Sequence, residues 1–149
     1  DNSNGLSSVL TQQEDLGQVI RESGHENLHV VTSGPVPPSP TELIASDQMA
    51  RLVDDMSASY DVVIFDSPPI LGLADAPLMS ALVDGVVFIV ESGRARHGSL
   101  KASLRRLRTM RPVMLGAVLT MFDAAKAGHR YSEYSGYEYY RYSSGNKSR

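Results

Sequence analysis

The chain of 149 residues contains no cysteine. Disulfides and thiolate metal sites are thereby excluded, and the redox compartment is left open. It also lacks an uninterrupted membrane-length apolar run. The longest apolar region, Val62 to Val90, is broken by Asp66, Asp75 and Asp84, so no transmembrane helix fits there. The opening residues, Asp1 to Asn4, are polar, and no signal peptide is expected. The net charge of −3 gives no general pull toward nucleic acid or anionic lipid, and no nucleic-acid partner is expected. The histidines His25, His29, His97 and His129 share no metal-ligand spacing and read as surface or strand-flanking residues. One further absence bears on function. The phosphate-cradling pattern G-x-x-x-x-G-K-[ST] does not occur, and none of Lys101, Lys126 and Lys147 stands in such a context.

What is present is ordinary for a globular protein. The chain is 42% apolar and 21% charged, and its length suits one domain with a sizeable core. The first residue is Asp rather than Met, as in a processed product or an excerpt of something longer. Residues 5–13 carry Leu6, Val9 and Leu10 at helical spacing, and residues 27–32 read as a short strand. "GPVPPSP" (34–40) packs four prolines and a glycine into seven residues, a stiff loop without regular hydrogen bonding. Ser39, Pro40 and Glu42 then have the form of a capping box with proline at the first helical position. Residues 47–58 place Met49, Leu52, Val53 and Met56 on one helical face.

"YDVVIFD" (60–66) is a β-branched and aromatic run that predicts a strand buried on both faces, as does 85–91, and 113–120 reads as the last strand. A short helix is expected over 76–82. A longer one is expected over 98–110, with Leu100, Leu104 and Leu107 inward and Lys101, Arg105, Arg106 and Arg108 outward. That basic face suits an acidic partner or lipid headgroups, or simply solvent. Alternating strands and helices predict an α/β fold, a mainly parallel sheet with helices on both faces. Beyond Asp123 the pattern dissolves into Ala, Gly, Ser, Tyr and charge. Residues 124–149 are expected to form a mobile tail, distinct from the domain at 1–123.

In open α/β sheets ligands bind past the carboxyl ends of the strands. There, Asp66 ends an apolar run and is followed by Ser67, Pro68 and Pro69. This has the form of a Walker B aspartate, which holds Mg²⁺ beside phosphates. A turn or helix-capping aspartate is the plainer alternative. Asp75 reads equally as a helix N-cap one residue before Ala76 and as a residue that helps arrange the site. The chain thus offers one half of a nucleotide site.

Taken in order, "NGLSSVL" (4–10), "GPVPPSPTELIAS" (34–46), "YDVVIFDSPPILGLADA" (60–76), "GAVLT" (116–120) and the terminal tyrosine cluster closely resemble the bacterial tyrosine kinases (BY-kinases). That family controls capsular and exopolysaccharide polymerisation and export. The resemblance covers essentially the whole chain. It implies a P-loop NTPase fold of which this chain is the C-terminal half, its Walker A and Walker A′ motifs lying upstream. It implies ATP and Mg²⁺ as cofactors, Asp66 as catalytic and metal-holding residue, and Ser67, Pro68 and Thr120 near the nucleotide. Tyr131, Tyr134, Tyr137, Tyr139, Tyr140 and Tyr142 become autophosphorylation sites, modified in trans within a homo-oligomeric ring. The implied partners are the chain's own missing N-terminal P-loop segment and a membrane polysaccharide co-polymerase domain, fused or separate. The implied location is the cytoplasmic face of the bacterial inner membrane. The chain alone is expected to be inactive. Two positions depart from the family pattern, where Ser39 and Thr120 stand in place of asparagines. Threonine cannot offer the paired donor and acceptor of an amide. The rivals are a non-kinase partitioning-type P-loop ATPase, and a noncatalytic interaction module that has lost the P-loop half and regulates an assembly through its tail. The plainer reading of the tail itself is a sticky low-complexity end.

Overall fold

The computed structural model describes residues 2–123. The expected tail at 124–149, with its six tyrosines, lies outside the described residues. The elements run α1 (Leu6–Leu10), α2 (Leu16–Val19), β1 (Arg21–Glu22), β2 (His29–Val30), α3 (Pro40–Ile44), α4 (Asp47–Ser59), α5 (Asp75–Met79), β3 (Val86–Glu91), α6 (His97–Arg108) and β4 (Met114–Thr120). Strands and helices alternate through the second half, an α/β arrangement.

The core gathers around α4. Met49, Leu52, Val53 and Met56, the four residues at helical spacing, are all buried. They meet Val9 and Leu10 of α1 and Val19 of α2, with Val63, Phe65, Met79 and Leu82 packed against them. The start of α4 is fixed by Ser46, whose hydroxyl accepts from the Met49 N–H at 3.2 Å. This satisfies one of the orphan donors of the first turn.

The expected capping box at Ser39 does not form. Pro40 does begin α3, but Ser39 makes no side-chain cap. Its ψ is 73°, against 154° at Ser46, where the extended backbone aims the hydroxyl at the helix.

The sheet is smaller than expected. β3 and β4 are parallel, joined by α6, with Val87 opposite Gly116 and Glu91 opposite Thr120. β2 covers only two residues of the strand expected at 27–32, and it pairs antiparallel with β1. The chain just after it serves another purpose. The Thr32 and Ser33 carbonyls accept from the Leu6 and Ser7 amides at 2.8 and 2.9 Å, satisfying the N-terminus of α1.

The segment Tyr60–Asp66 joins no sheet among the described residues. Val63 and Phe65 face the core, whereas Val62 and Ile64 are 72% and 86% exposed. That two-residue alternation belongs to an extended chain; burial on both faces needs neighbours that the described residues do not supply. β3 and β4 show the same deficit. Ile89 and Leu115 are 59% and 68% exposed, so helices do not cover both faces of the described sheet.

Candidate functional site

Three segments carry the residues flagged by the sequence, and a hydrogen bond joins the first two of them. The first is the proline loop, held from several directions. Asn2 grips Gly34 twice: its Nδ2 donates to the Gly34 carbonyl and its Oδ1 accepts from the Gly34 N–H, each at 2.8 Å. Ser7 Oγ donates to the Pro35 carbonyl at 2.7 Å. Gly34 itself has φ 76°, a left-handed conformation that favours glycine. It lies against Gly5, where a Cβ would run into the Thr32 carbonyl and the Gly34 backbone. The stiffness expected of the prolines is therefore reinforced by side-chain clamps that pattern alone does not reveal. Only the pair of glycines hinted at the close approach.

The second segment is residues 66–75. Asp66 and Ser67 are exposed, and Pro68 is half-buried. The inward anchors Val63 and Phe65 fix the chain immediately before Asp66. The far end of this segment is tied to the proline-loop helix, because Thr41 Oγ1 donates to Asp75 Oδ1 at 3.1 Å. Asp75 is the first residue of α5 and Ala74 its N-cap. The capping reading of Asp75 is thus replaced by a cross-link between α3 and α5.

The third segment is the paired ends of β3 and β4. Ser92 N–H donates to the Thr120 carbonyl at 2.9 Å. Thr120 Oγ1 reaches the Val90 carbonyl at 3.4 Å, so its hydroxyl is only loosely engaged. Asp66, Ser67 and Pro68 stand together by sequence, whereas no hydrogen bond ties them to Thr120. The six candidate tyrosines lie outside the described residues.

A single exposed carboxylate suits Mg²⁺, which commonly takes one or two carboxylates and completes its shell with water and substrate phosphates. It does not suit a self-sufficient metal centre. Among the described residues no group of three or more His, Asp or Glu gathers as a ligand set. For the phosphates themselves the sequence offers no lysine-bearing glycine loop. The residues present therefore fit the cation-facing side of a nucleotide site. Among the described residues, no helix is long and apolar enough to cross a membrane.

No protein-family model matches the chain. Among curated proteins, tyrosine-protein kinase YwqD of Bacillus subtilis (strain 168) is 37% identical over 140 residues, covering 94% of this chain and 56% of that protein. Among solved structures, the chimerical protein CapA2B2 superposes with a TM-score of 0.76 at 36% identity, over 80% of this chain and 53% of that one. The kinase domain of the Escherichia coli tyrosine kinase ETK superposes with a TM-score of 0.74 at 31% identity, over 83% of this chain and 50% of that one. The chain spans little more than half of YwqD and about half of each of these two solved chains.

Proposed function

We propose, for a chain that belongs to the bacterial tyrosine kinases, that it is the C-terminal part of an ATP-dependent protein-tyrosine autokinase. On this reading residues 1–123 are the kinase portion and 124–149 its substrate tail. A phosphate-binding loop outside these residues completes the site. Bound Mg·ATP supplies the transferable phosphoryl group and a cation that spreads its charge. Asp66 holds that cation, directly or through water. Ser67 and Pro68 lie beside the exposed carboxylate, and the loosely held Thr120 hydroxyl is available to the nucleotide. Tyr131, Tyr134, Tyr137, Tyr139, Tyr140 and Tyr142 accept phosphate, in trans between subunits of a homo-oligomeric ring.

One observation carries the reading. Asp66 is exposed and, among the described residues, unengaged, at the end of a segment whose alternate residues are locked into the core. A merely structural turn aspartate would be spent on a backbone amide. The wider role we propose, supported by the family resemblance, is control of exopolysaccharide or capsule polymerisation and export, with a membrane co-polymerase domain at the cytoplasmic face of the inner membrane.

The test is phosphosite mapping after incubation with Mg·ATP. It compares the complete protein, its Asp66→Asn variant and residues 1–149 alone. Phosphate on Tyr131 to Tyr142 is expected in the complete protein only. Bound nucleotide without tyrosine phosphate would point instead to a partitioning-type ATPase. Phosphate on residues 1–149 alone would refute the divided site.

A further inference from the structure

The charges of this chain are sharply segregated. Residues 1–91 hold fourteen Asp and Glu against two Arg, whereas residues 92–122 hold seven Lys and Arg and no acid. The basic stretch is the β3–β4 crossover. Arg94 and Arg96 are exposed in the turn before α6, and Lys101, Arg105 and Arg108 are exposed along it. The last three stand at i, i+4 and i+7, which aligns them in one stripe. Arg105, Arg106 and Arg108 suit the last turn of a helix, where cations offset the dipole. That accounts for neither Lys101, Arg94 and Arg96 nor the lack of any acid across the crossover. Arg94 is paired with Glu91 at 3.2 Å, on the surface.

The chain leaves β4 beside this stretch. The Thr120 carbonyl accepts from Ser92 N–H, so Asp123 lies near the turn that carries Arg94 and Arg96. Tyr131 is eight residues further on, a reach of up to about 26–29 Å. Helix α6, of 12 residues, is about 18 Å long. The tyrosine cluster can therefore lie anywhere along it. Lys101 and Arg108 stand about 10.5 Å apart along the axis, and Tyr131 and Tyr134 are separated by about 10 Å when extended.

We propose that the Lys101–Arg105–Arg108 stripe, with Arg94 and Arg96, is the docking surface for this chain's own tyrosine-rich tail once the tail carries phosphate. The inference rests on the phosphoacceptor reading given above. Each phosphotyrosine brings roughly −1.5 to −2 charges and acceptor oxygens that arginine engages with two parallel hydrogen bonds. Unphosphorylated, residues 124–149 hold five Lys and Arg against two Glu, and the basic face repels them. Phosphorylation reverses the sign of the tail and so switches the contact on.

The test uses a fluorescent peptide of residues 129–145, synthesised with phosphate on Tyr131, Tyr134 and Tyr137 or with none. It is titrated by anisotropy against the full-length protein with its six tail tyrosines changed to phenylalanine. The phosphopeptide should bind at least tenfold more tightly than the plain peptide, with an affinity that falls as salt rises. A Lys101→Gln, Arg105→Gln, Arg108→Gln triple variant should lose at least tenfold, while Arg51→Gln on α4 changes nothing. In the phosphorylated full-length protein with native tyrosines, the triple variant should also lose its tail phosphates to a phosphatase several-fold faster.

Equal affinity for both peptides, or an unchanged affinity in a folded triple variant, overturns the proposal. So does binding to phosphatidylglycerol vesicles through the same residues that the phosphopeptide fails to displace, which would assign the stripe to lipid. Because the peptides are synthetic, the binding result is independent of kinase activity. An unphosphorylated tail with tight phosphopeptide binding faults the kinase reading, and a phosphorylated tail without binding faults this one.

Discussion

Thr41 donates a hydrogen bond of 3.1 Å to Asp75, joining the first turn of α3 to the first turn of α5. The bond links the stiff proline loop to the far end of the segment that begins at Asp66. Thr41→Val and Asp75→Asn are each expected to cost about 0.5–1 kcal/mol, the net worth of one such bond. The double variant should cost no more than the worse single, because both remove the same contact. Urea unfolding of the complete protein checks this. Full additivity would mean that the two side chains do not act together.

Gly5 and Gly17 make a contrasting pair. A Cβ at Gly5 would meet backbone atoms of Thr32 and Gly34, while one at Gly17 meets nothing within 4 Å. Gly5→Ala should destabilise by about 1–3 kcal/mol, because backbone cannot be displaced cheaply. Gly17→Ala, within α2, should be neutral or stabilising by up to about 1 kcal/mol. Thermal melts of the two variants decide the matter, and equal shifts would refute the tight approach of Gly5 to the proline loop.

Met49 is fully buried in the cluster around α4. Met49→Ala should cost about 2–5 kcal/mol through lost burial and the cavity left behind. A loss under about 1 kcal/mol by chemical denaturation would place the core elsewhere.

Ile64 offers the same kind of substitution in two contexts. It is 86% exposed here, so Ile64→Ala in residues 1–149 alone should change stability by less than about 0.5 kcal/mol. In the complete protein, if the proposed N-terminal P-loop segment packs on this residue, the cost should rise to about 2–4 kcal/mol. Equal effects at both lengths would show that nothing upstream packs on this segment.

Legibility in the sequence varied by residue. Helix α4 was plain because Met49, Leu52, Val53 and Met56 encode both a helix and its buried face, and its expected span of 47–58 falls one residue short of Asp47–Ser59. The spans of β3, β4 and α6 fell within two residues of expectation, since long periodic or β-branched runs admit few readings. Burial was less legible. The run at 60–66 says that its residues want cover on both sides, but the cover itself lies in neighbours that no local pattern contains. Ser39 and Ser46 show a similar limit, for both are plausible caps and only backbone torsion separates them. At the candidate site, Asp66 stood out because a charge ended an apolar run. The Thr41–Asp75 bond spans 34 residues and the Asn2–Gly34 clamp 32. Neither leaves a trace in spacing.

The grip of Asn2 on Gly34 has a practical corollary. Residue 2 is the point at which anything attached ahead of this chain meets the fold, and its amide holds the backbone of the proline loop by two short bonds. A pull or twist on a preceding polypeptide would reach the loop through these two bonds. An affinity handle fused directly at Asp1 would act on the same lever and should be set off by a flexible spacer.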